Sequence, residues 1–111
     1  MKTRKDKSLY VRWMLESIAK IEAYSAGLDA ASFEKDGKAY DACLMQFQHL
    51  GETAAKMKST FPDDESLPYR QMVGFRNFIA HDYVGIELAE VFDTITQDLP
   101  GLKEKLVALL K

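Results

Sequence analysis

Four polar side chains occur close together near the end of one predicted helix: Arg76, Asn77, His81 and Tyr83. At about 100° per residue, Asn77 and His81 fall opposite the apolar stripe of this helix, and Arg76 and Tyr83 lie nearly above one another at its boundary. An imidazole can accept or donate a proton near neutral pH, and a guanidinium stays charged and offers a planar fork of donors. These residue types suit acid–base chemistry on an anionic substrate.

The same residues also suit an ordinary helix end. A histidine in the last turn is favourable as a cation beside the helix dipole, and Arg76 can be a surface charge or a partner for Asp82. The ordinary interpretation of Tyr83 is an amphipathic ring at a helix end. Because isolated motif matches are weak hypotheses, spacing alone favours the structural interpretation over the catalytic one.

Apolar residues recur at three- and four-residue steps along nearly the whole chain, and this pattern predicts helices. Gly27 is a stop signal after the first helix, and Asp29 or Ser32 can cap a short turn that follows it. The longest apolar stripe covers residues 40–57. Pro68 stands where a third helix begins, since proline is tolerated in a first turn.

The third helix is expected to end at about His81, and a fourth is expected to begin at Leu88. We expect the fourth helix to end at Asp98-Leu99-Pro100, where a short last helix begins and continues to Leu110. The sequence has no strand alternation and no hairpin pair. The fold class predicted is therefore all-α, a bundle of four main helices with short additional helices.

The two faces of the third helix differ in size as well as in polarity. Its core stripe is expected to contain four large residues, namely Met72, Phe75, Phe78 and Ile79. Its outer face has small or apolar residues among the polar ones, namely Val73, Gly74 and Ala80. Small residues let another backbone approach closely, so this face predicts a two-fold homodimer through the helix.

The composition is that of an ordinary globular protein: 111 residues, 47% hydrophobic and 29% charged. We expect one domain over residues 1–111, in the cytoplasm, because the longest apolar run is only Leu106 to Leu110 and no secretory signal follows Met1. Fifteen basic and seventeen acidic residues give a formal charge of −2, which argues against a broad basic face for nucleic acid and leaves room for a small phosphate site. DNA and membrane partners are not expected.

The first twelve residues contain five bases and one acid, namely Lys2, Arg4, Lys5, Lys7, Arg12 and Asp6. A solvated tail is the favoured interpretation, and contact with RNA is the other. Cys43 and four methionines (Met14, Met45, Met57 and Met72) are expected in the core. No metal is expected, because the histidines and acids lack ligand spacing, and no cofactor, because a glycine-rich phosphate loop is missing. His49 is interpreted as a surface or interface residue.

Arg76-x4-His81-x-Tyr83 resembles the signature of the HEPN superfamily, in its HepT-like toxin branch. Three further segments are similar to the family in order and spacing, namely Leu50-Gly51-Glu52-Thr53-Ala54, Leu67-Pro68-Tyr69 and Asp98-Leu99-Pro100-x-Leu102. Gly74-Phe75-Arg76-Asn77 stands where the family has Gly-Met-Arg-Asn. The resemblance covers about residues 40 to 110, with the first forty matching in pattern only. Tyr69 in place of Trp and Phe75 in place of Met are apolar departures off the reactive face.

The resemblance implies a HEPN-like bundle and a metal-independent endoribonuclease toxin of a type VII toxin–antitoxin system. Arg76 and His81 from each of two subunits would then form one composite site, with Asn77 holding the imidazole or a phosphate oxygen. Glu52 would either tune this site or make a structural contact. The partner implied is a minimal nucleotidyltransferase antitoxin, which would bind ATP itself and silence the toxin by adenylylating Tyr83.

A second interpretation is a non-catalytic HEPN module that docks the nucleotidyltransferase or presents it with a substrate. The intact pair of Arg76 and His81 favours the enzyme, because an adaptor has no need of both. The acidic pI of about 5.7 mildly favours the adaptor.

Overall fold

The computed structural model describes residues 6–81 and 83–111, apart from the side chain of Tyr83. Every element in these ranges is helical, which confirms the all-α prediction. There are six α-helices: α1 (Lys7–Ser25), α2 (Ala30–Lys35), α3 (Gly37–Thr60), α4 (Tyr69–His81), α5 (Leu88–Asp93) and α6 (Leu99–Leu109). A 3₁₀ turn, Tyr83–Gly85, follows α4, and a π-helical segment, Thr94–Asp98, lies between α5 and α6.

Short polar side chains fix the beginnings of the first three helices. The Asp6 carboxylate accepts from the Ser8 amide at the start of α1, and the Asp36 carboxylate accepts from the Ala39 amide at the start of α3. At α2, Asp29 and Ser32 form a reciprocal capping box in which Asp29 is the N-cap residue. Of the two predicted caps, Asp29 is therefore confirmed. Gly27 has a φ of 77°, a conformation that favours glycine, and it follows the last turn of α1 as predicted.

The core lies mainly between α1, α3 and α4, and α6 covers the side of α1. Each fully buried aliphatic or aromatic side chain contributes roughly 1.5–3 kcal/mol to folding. The largest side chains with almost no exposure are Phe33, Met14, Ile18, Ile21, Met57, Leu106, Val11, Val91 and Cys43. The core prediction for Cys43 and three of the methionines is confirmed. It is wrong for Met45, which is 51% exposed because it lies on the side of α3 turned away from α1.

Helices α3 and α4 approach each other closely at Gly51. A β-carbon placed on Gly51 would lie 2.9 Å from the Arg76 Cγ atom and 2.9 Å from the Met72 carbonyl oxygen, and still closer to the Arg76 Cβ atom. Only a residue without a side chain fits there, so Gly51 sets the distance between the helices next to Glu52 and Arg76.

The start of α4 is tied to two distant parts of the chain by Asp64. The carboxylate of Asp64 accepts from the Lys7 ammonium at 2.6 Å, from the Tyr69 hydroxyl at 2.8 Å and from the Ser66 hydroxyl at 2.6 Å. Lys58, near the end of α3, donates to the Asp64 carbonyl oxygen at 2.6 Å. We call Lys7, Lys58, Asp64, Ser66 and Tyr69 the Asp64 cluster.

Burial and hydrogen bonding act in opposite directions on the pKa of Asp64. Burial raises the pKa of the carboxyl group, but the hydrogen bonds from Lys7, Ser66 and Tyr69 outweigh it and hold the pKa well below its usual range. Burial, together with the hydrogen bond to Asp64, raises the pKa of the Tyr69 phenol. The centre of the Asp64 cluster is therefore a carboxylate anion held by hydrogen-bond donors, and the cluster fixes where α4 begins.

The predicted break at Asp98-Leu99-Pro100 differs from the structure, where the backbone stays helical from α5 into α6. The Leu99 amide donates to the Thr94 carbonyl, five residues back, so one turn is widened. Pro100 cannot donate to the carbonyl four residues before it, and a wider turn accommodates its ring without ending the helix. The prediction of four main helices with short additions is otherwise confirmed.

Within the described ranges, no helix combines the length and the apolar character that crossing a membrane requires.

Candidate functional site

A cleft of about 440 Å³ lies between the outer sides of α3 and α4. It brings together three residues that the sequence placed on one helix face, Arg76, Asn77 and His81, and adds Glu52 from the neighbouring helix. The full lining consists of Met45, Gln48, His49, Glu52, Arg76, Asn77, Ala80 and His81. The cleft is open to solvent.

Arg76 belongs partly to the packing between the helices and partly to the cleft. Its β and γ carbons lie against Gly51, and its side chain is 25% exposed. The Nη1 atom donates to the Oε1 atom of Glu52 at 3.2 Å. The Nε atom is buried and has no hydrogen-bond partner within the described part of the chain. A buried donor without a partner is unusual, and here it belongs to a group suited to binding an anion.

Glu52 is the observed partner of Arg76, whereas Asp82, a partner considered from the sequence, lies outside the described residues. The Glu52 side chain is 54% exposed, so this ion pair lies largely in solvent. Exposed ion pairs contribute little to stability, typically less than about 1 kcal/mol. The contact orients the guanidinium of Arg76 at the edge of the cleft, and it fits both of the roles considered for Glu52.

His81 is in the last turn of α4, and Asn77 lies one turn before it. Both side chains are exposed on the cleft side of the helix. Met72 and Ile79 are buried on the opposite side, as the helical wheel predicted.

His49 is the cleft residue that the sequence did not connect with the others. It lies on α3, exposed, three residues before Glu52 and so on a neighbouring part of the same helix face. The available signal was its three-residue spacing from Glu52, which places the two side chains on neighbouring positions of one side of α3. The interpretation of His49 as a surface or interface residue agrees with its exposed position, which is on the cleft.

The backbone of Tyr83 is in the 3₁₀ turn that follows α4, two residues from His81 along the chain. Its side chain lies outside the described part, so its predicted relation to Arg76 stays a prediction. The same holds for the basic residues Lys2, Arg4 and Lys5, whereas Lys7 binds Asp64. Among the residues described, no three of His, Cys, Asp or Glu are grouped closely enough to hold a metal ion.

Comparison with protein-family models matches residues 14–109 to the family described as "Ribonuclease HepT-like". The chain belongs to this ribonuclease HepT-like family. The match includes both helices of the cleft, so the resemblance seen in Arg76, His81 and the segment around Glu52 is confirmed at the level of the family.

Several curated relatives are similar over nearly the whole chain. A Methanocaldococcus jannaschii protein, whose name combines gamma-glutamylcyclotransferase with RNase, is 25% identical over 97% of this chain and 49% of its own length. The chain thus spans about half of that relative. A Thermococcus cleftensis protein named "Probable ribonuclease HepT" is 26% identical over 92% of this chain and 94% of its own length. No solved structure matches the chain significantly.

Proposed function

We propose that the chain is a metal-independent endoribonuclease that cleaves RNA in the cleft between α3 and α4. The observation that carries this proposal is that Arg76, Asn77 and His81 line one cleft in a member of a ribonuclease family. The alternative, a non-catalytic binding subunit, is favoured by the formal charge of −2, which is unusual for a protein that binds RNA broadly. A site for one phosphate needs only local positive charge, and Arg76 supplies it.

The proposed reaction uses the RNA's own 2′-hydroxyl as the nucleophile. The 2′ oxygen loses its proton and forms a bond to phosphorus, the bond from phosphorus to the 5′ oxygen breaks, and the 5′ oxygen takes up a proton. His81 exchanges protons with the reacting oxygens, and the Arg76 guanidinium stabilises the charge that develops on the phosphoryl group. Asn77 holds the imidazole or a phosphate oxygen. The products have 2′,3′-cyclic phosphate and 5′-hydroxyl ends.

We propose that the site is completed by a second copy of the chain across the outer face of α4. Gly74 and Ala80 are exposed there, and among the described residues nothing outside the adjoining residues and the helix's own backbone lies within 4 Å of a β-carbon placed on Gly74. A two-fold axis beside this face would bring together two pairs of Arg76 and His81, giving the charge that phosphoryl transfer needs. Sedimentation of the purified chain should show a dimer at micromolar concentration, and a monomer would contradict this arrangement.

The proposed control is adenylylation of Tyr83 by a minimal nucleotidyltransferase, as in a toxin–antitoxin pair. The Tyr83 phenol oxygen attacks the α-phosphorus of ATP held by that partner, the bond to the β-phosphate breaks, and pyrophosphate leaves while the phenol proton passes to solvent. The product carries a phosphodiester two residues from His81, and its negative charge would bind Arg76 and repel RNA.

The experiment that tests the proposed function is cleavage of a defined RNA by the purified chain in excess chelator. We expect cleavage with cyclic phosphate ends, and its loss in His81→Ala, whose side chain is exposed and contributes little to folding. Intact RNA with the unaltered chain would favour the binding subunit. Cleavage at the unaltered rate in His81→Ala would mean that the active site lies elsewhere.

A further inference from the structure

The α3 side of the cleft has a group of side chains that the proposed reaction does not use. Met45 lies three and four positions before Gln48 and His49 on α3, so the three share one side of the helix, and all of them line the cleft. We call these three residues the α3 wall. We propose that the α3 wall is a subsite for one unpaired nucleobase of the RNA, beside the phosphate that Arg76 binds. This inference rests on the proposed ribonuclease function and gives it a source of base selectivity.

Two contacts between α3 and α4 define how the helices lie side by side. The Lys58 ammonium is 5.2 Å from the centre of the Tyr69 ring, and a Glu52 carboxylate oxygen is 3.2 Å from the Arg76 guanidinium. From the first contact to the second, the position moves back by six residues on α3 and forward by seven on α4, so the helices are antiparallel.

The same register places the α3 wall next to the smallest side chain of the cleft. Four residues further along each helix, Gln48 is at the level of Ala80, and both residues line the cleft. This level is about 6 Å along the helix axis from the contact between Glu52 and Arg76. A nucleotide whose phosphate contacts Arg76 can therefore place a neighbouring base against the α3 wall.

The three side chains suit a base better than a phosphate. Met45 is exposed and offers a polarizable apolar surface of the kind that packs against aromatic rings. Gln48 is half-buried, and its amide has both donors and an acceptor for the edge of a base. The exposed ring of His49 can stack on a base. These contacts use the face and the edge of the base, so the base has to be unpaired.

The α3 wall is separate from the surface through which a second copy is proposed to pack. That surface belongs to α4 and includes Gly74, which is not among the residues that line the cleft. The wall belongs entirely to α3. Each copy therefore has its own base subsite, while Arg76 and His81 of both copies form the shared site.

The test removes one base at a time from the RNA. A defined oligomer that is cleaved at one mapped linkage is compared with two others, which lack the base just before or just after that linkage and keep the 2′-hydroxyl. Gln48→Leu keeps the size of the side chain and removes the amide, and Met45→Gln keeps the length and removes the apolar surface. The controls are Met45→Leu and Gln97→Ala, which alters an exposed glutamine outside this cleft. Circular dichroism and sedimentation follow the fold and the assembly of every variant.

With the unaltered chain, we expect the loss of one of the two bases to lower kcat/KM by about 10- to 100-fold, the range that contacts with a single base supply. Gln48→Leu and Met45→Gln should be slower on the intact oligomer and should lose much of this difference between oligomers, because the base contact is already missing. The change should be in KM, with kcat nearly kept, since the base is bound equally before and during cleavage. Met45→Leu and Gln97→Ala should keep the full difference.

Three results would overturn the inference. If the unaltered chain cleaves all three oligomers at one rate, no base beside the cut is recognised. If Gln48→Leu and Met45→Gln keep the full difference, the base is recognised elsewhere. If either variant sediments as a monomer while the unaltered chain is a dimer, the α3 wall is a contact between copies.

In all three cases the unaltered chain cleaves the intact oligomer and His81→Ala does not, so the proposed function stands. If the unaltered chain cleaves none of the oligomers, the proposed function fails and the base subsite fails with it.

Discussion

Arg76 uses the two ends of its side chain for different purposes. Its stem fills the space that Gly51 leaves on α3, and its guanidinium reaches the cleft. Substitution by alanine would therefore remove packing together with charge, and a lost rate would be hard to interpret. Lysine keeps a stem and a positive charge and loses the planar fork of donors.

We expect Arg76→Lys to lower the rate of RNA cleavage by about 10²-fold or more, because one point charge replaces two aligned donors at the developing phosphoryl charge. Initial rates on a defined RNA measure this effect. The matched control is Arg70→Lys, which alters an exposed arginine on the same helix outside the cleft. This control should leave the rate of RNA cleavage nearly unchanged. Equal losses in both variants would show that general affinity for RNA, and not the fork of Arg76, was affected.

Glu52→Gln separates the two roles considered for this residue. The amide keeps the size and one acceptor oxygen for Arg76, and removes the charge. Because the pair is largely exposed, we expect the free energy of unfolding to change by less than about 1 kcal/mol. The rate should nevertheless fall, since the guanidinium is less firmly oriented.

Urea unfolding and kcat, measured on the same preparation, check the Glu52 prediction. A large loss of stability with full activity would make Glu52 a structural contact only.

At the scale of elements, the distance between α3 and α4 depends on Gly51. We expect Gly51→Ala to lower the free energy of unfolding by about 1–3 kcal/mol, because the new methyl group meets the Met72 carbonyl and the stem of Arg76. Gly101→Ala, in α6, is the control: in the described part of the chain, its β-carbon meets nothing within 4 Å beyond the adjoining residues and the helix's own backbone, and it should stabilise the chain by about 0.5–1 kcal/mol. Thermal unfolding of both measures the difference, and equal shifts would contradict the role of Gly51.

The elements were largely predictable, because their signals are local. Gly27 and Asp29 act within a few residues of their helix ends, and apolar spacing defines the buried sides of α1, α3 and α4. The widened turn at Thr94–Asp98 was not predictable in this way. It shifts hydrogen bonds by one residue and leaves the apolar pattern unchanged, so Pro100 was interpreted as a break.

The site was predictable only as far as it lies on one helix. Arg76, Asn77 and His81 share a face of α4 by spacing alone. The approach of His49 depends on how α3 crosses α4, and that crossing is set by a contact between residues far apart in sequence. The exposure of Met45 was missed for the same reason, since an apolar residue beside a cleft looks like a core residue in the sequence.

At the scale of the whole molecule, Tyr83→Phe tests control by a partner. With a minimal nucleotidyltransferase and ATP, we expect intact-mass measurement to show added AMP on the unaltered chain and none on Tyr83→Phe, because the variant keeps the ring and lacks the nucleophile. Tyr24→Phe, which alters an exposed tyrosine on α1, should be modified like the unaltered chain. The assignment would be contradicted if the nucleotidyltransferase with ATP silenced Tyr83→Phe and no AMP were found on the unaltered chain.

The Asp64 cluster predicts how stability depends on pH. The folded-state pKa of Asp64 lies below its ordinary value of 3.8, so its contribution is complete above that pH and is lost as the pH falls toward the folded value. We expect Asp64→Asn to lower the free energy of unfolding by about 1–3 kcal/mol at neutral pH. The difference from the unaltered chain should narrow below about pH 4. Urea unfolding from pH 7 to pH 3 checks this, and a constant difference would contradict it.

The Asp64 carboxylate binds both the first residue of α1, Lys7, and the first residue of α4, Tyr69. Neither first turn can open without disturbing the other's hydrogen bonds, so the two behave as one cooperative unit in local unfolding. Their backbone amides should exchange with deuterium at similar opening free energies although they are more than sixty positions apart. The helix that carries Arg76 and His81 is thereby linked in its dynamics to the beginning of the described chain.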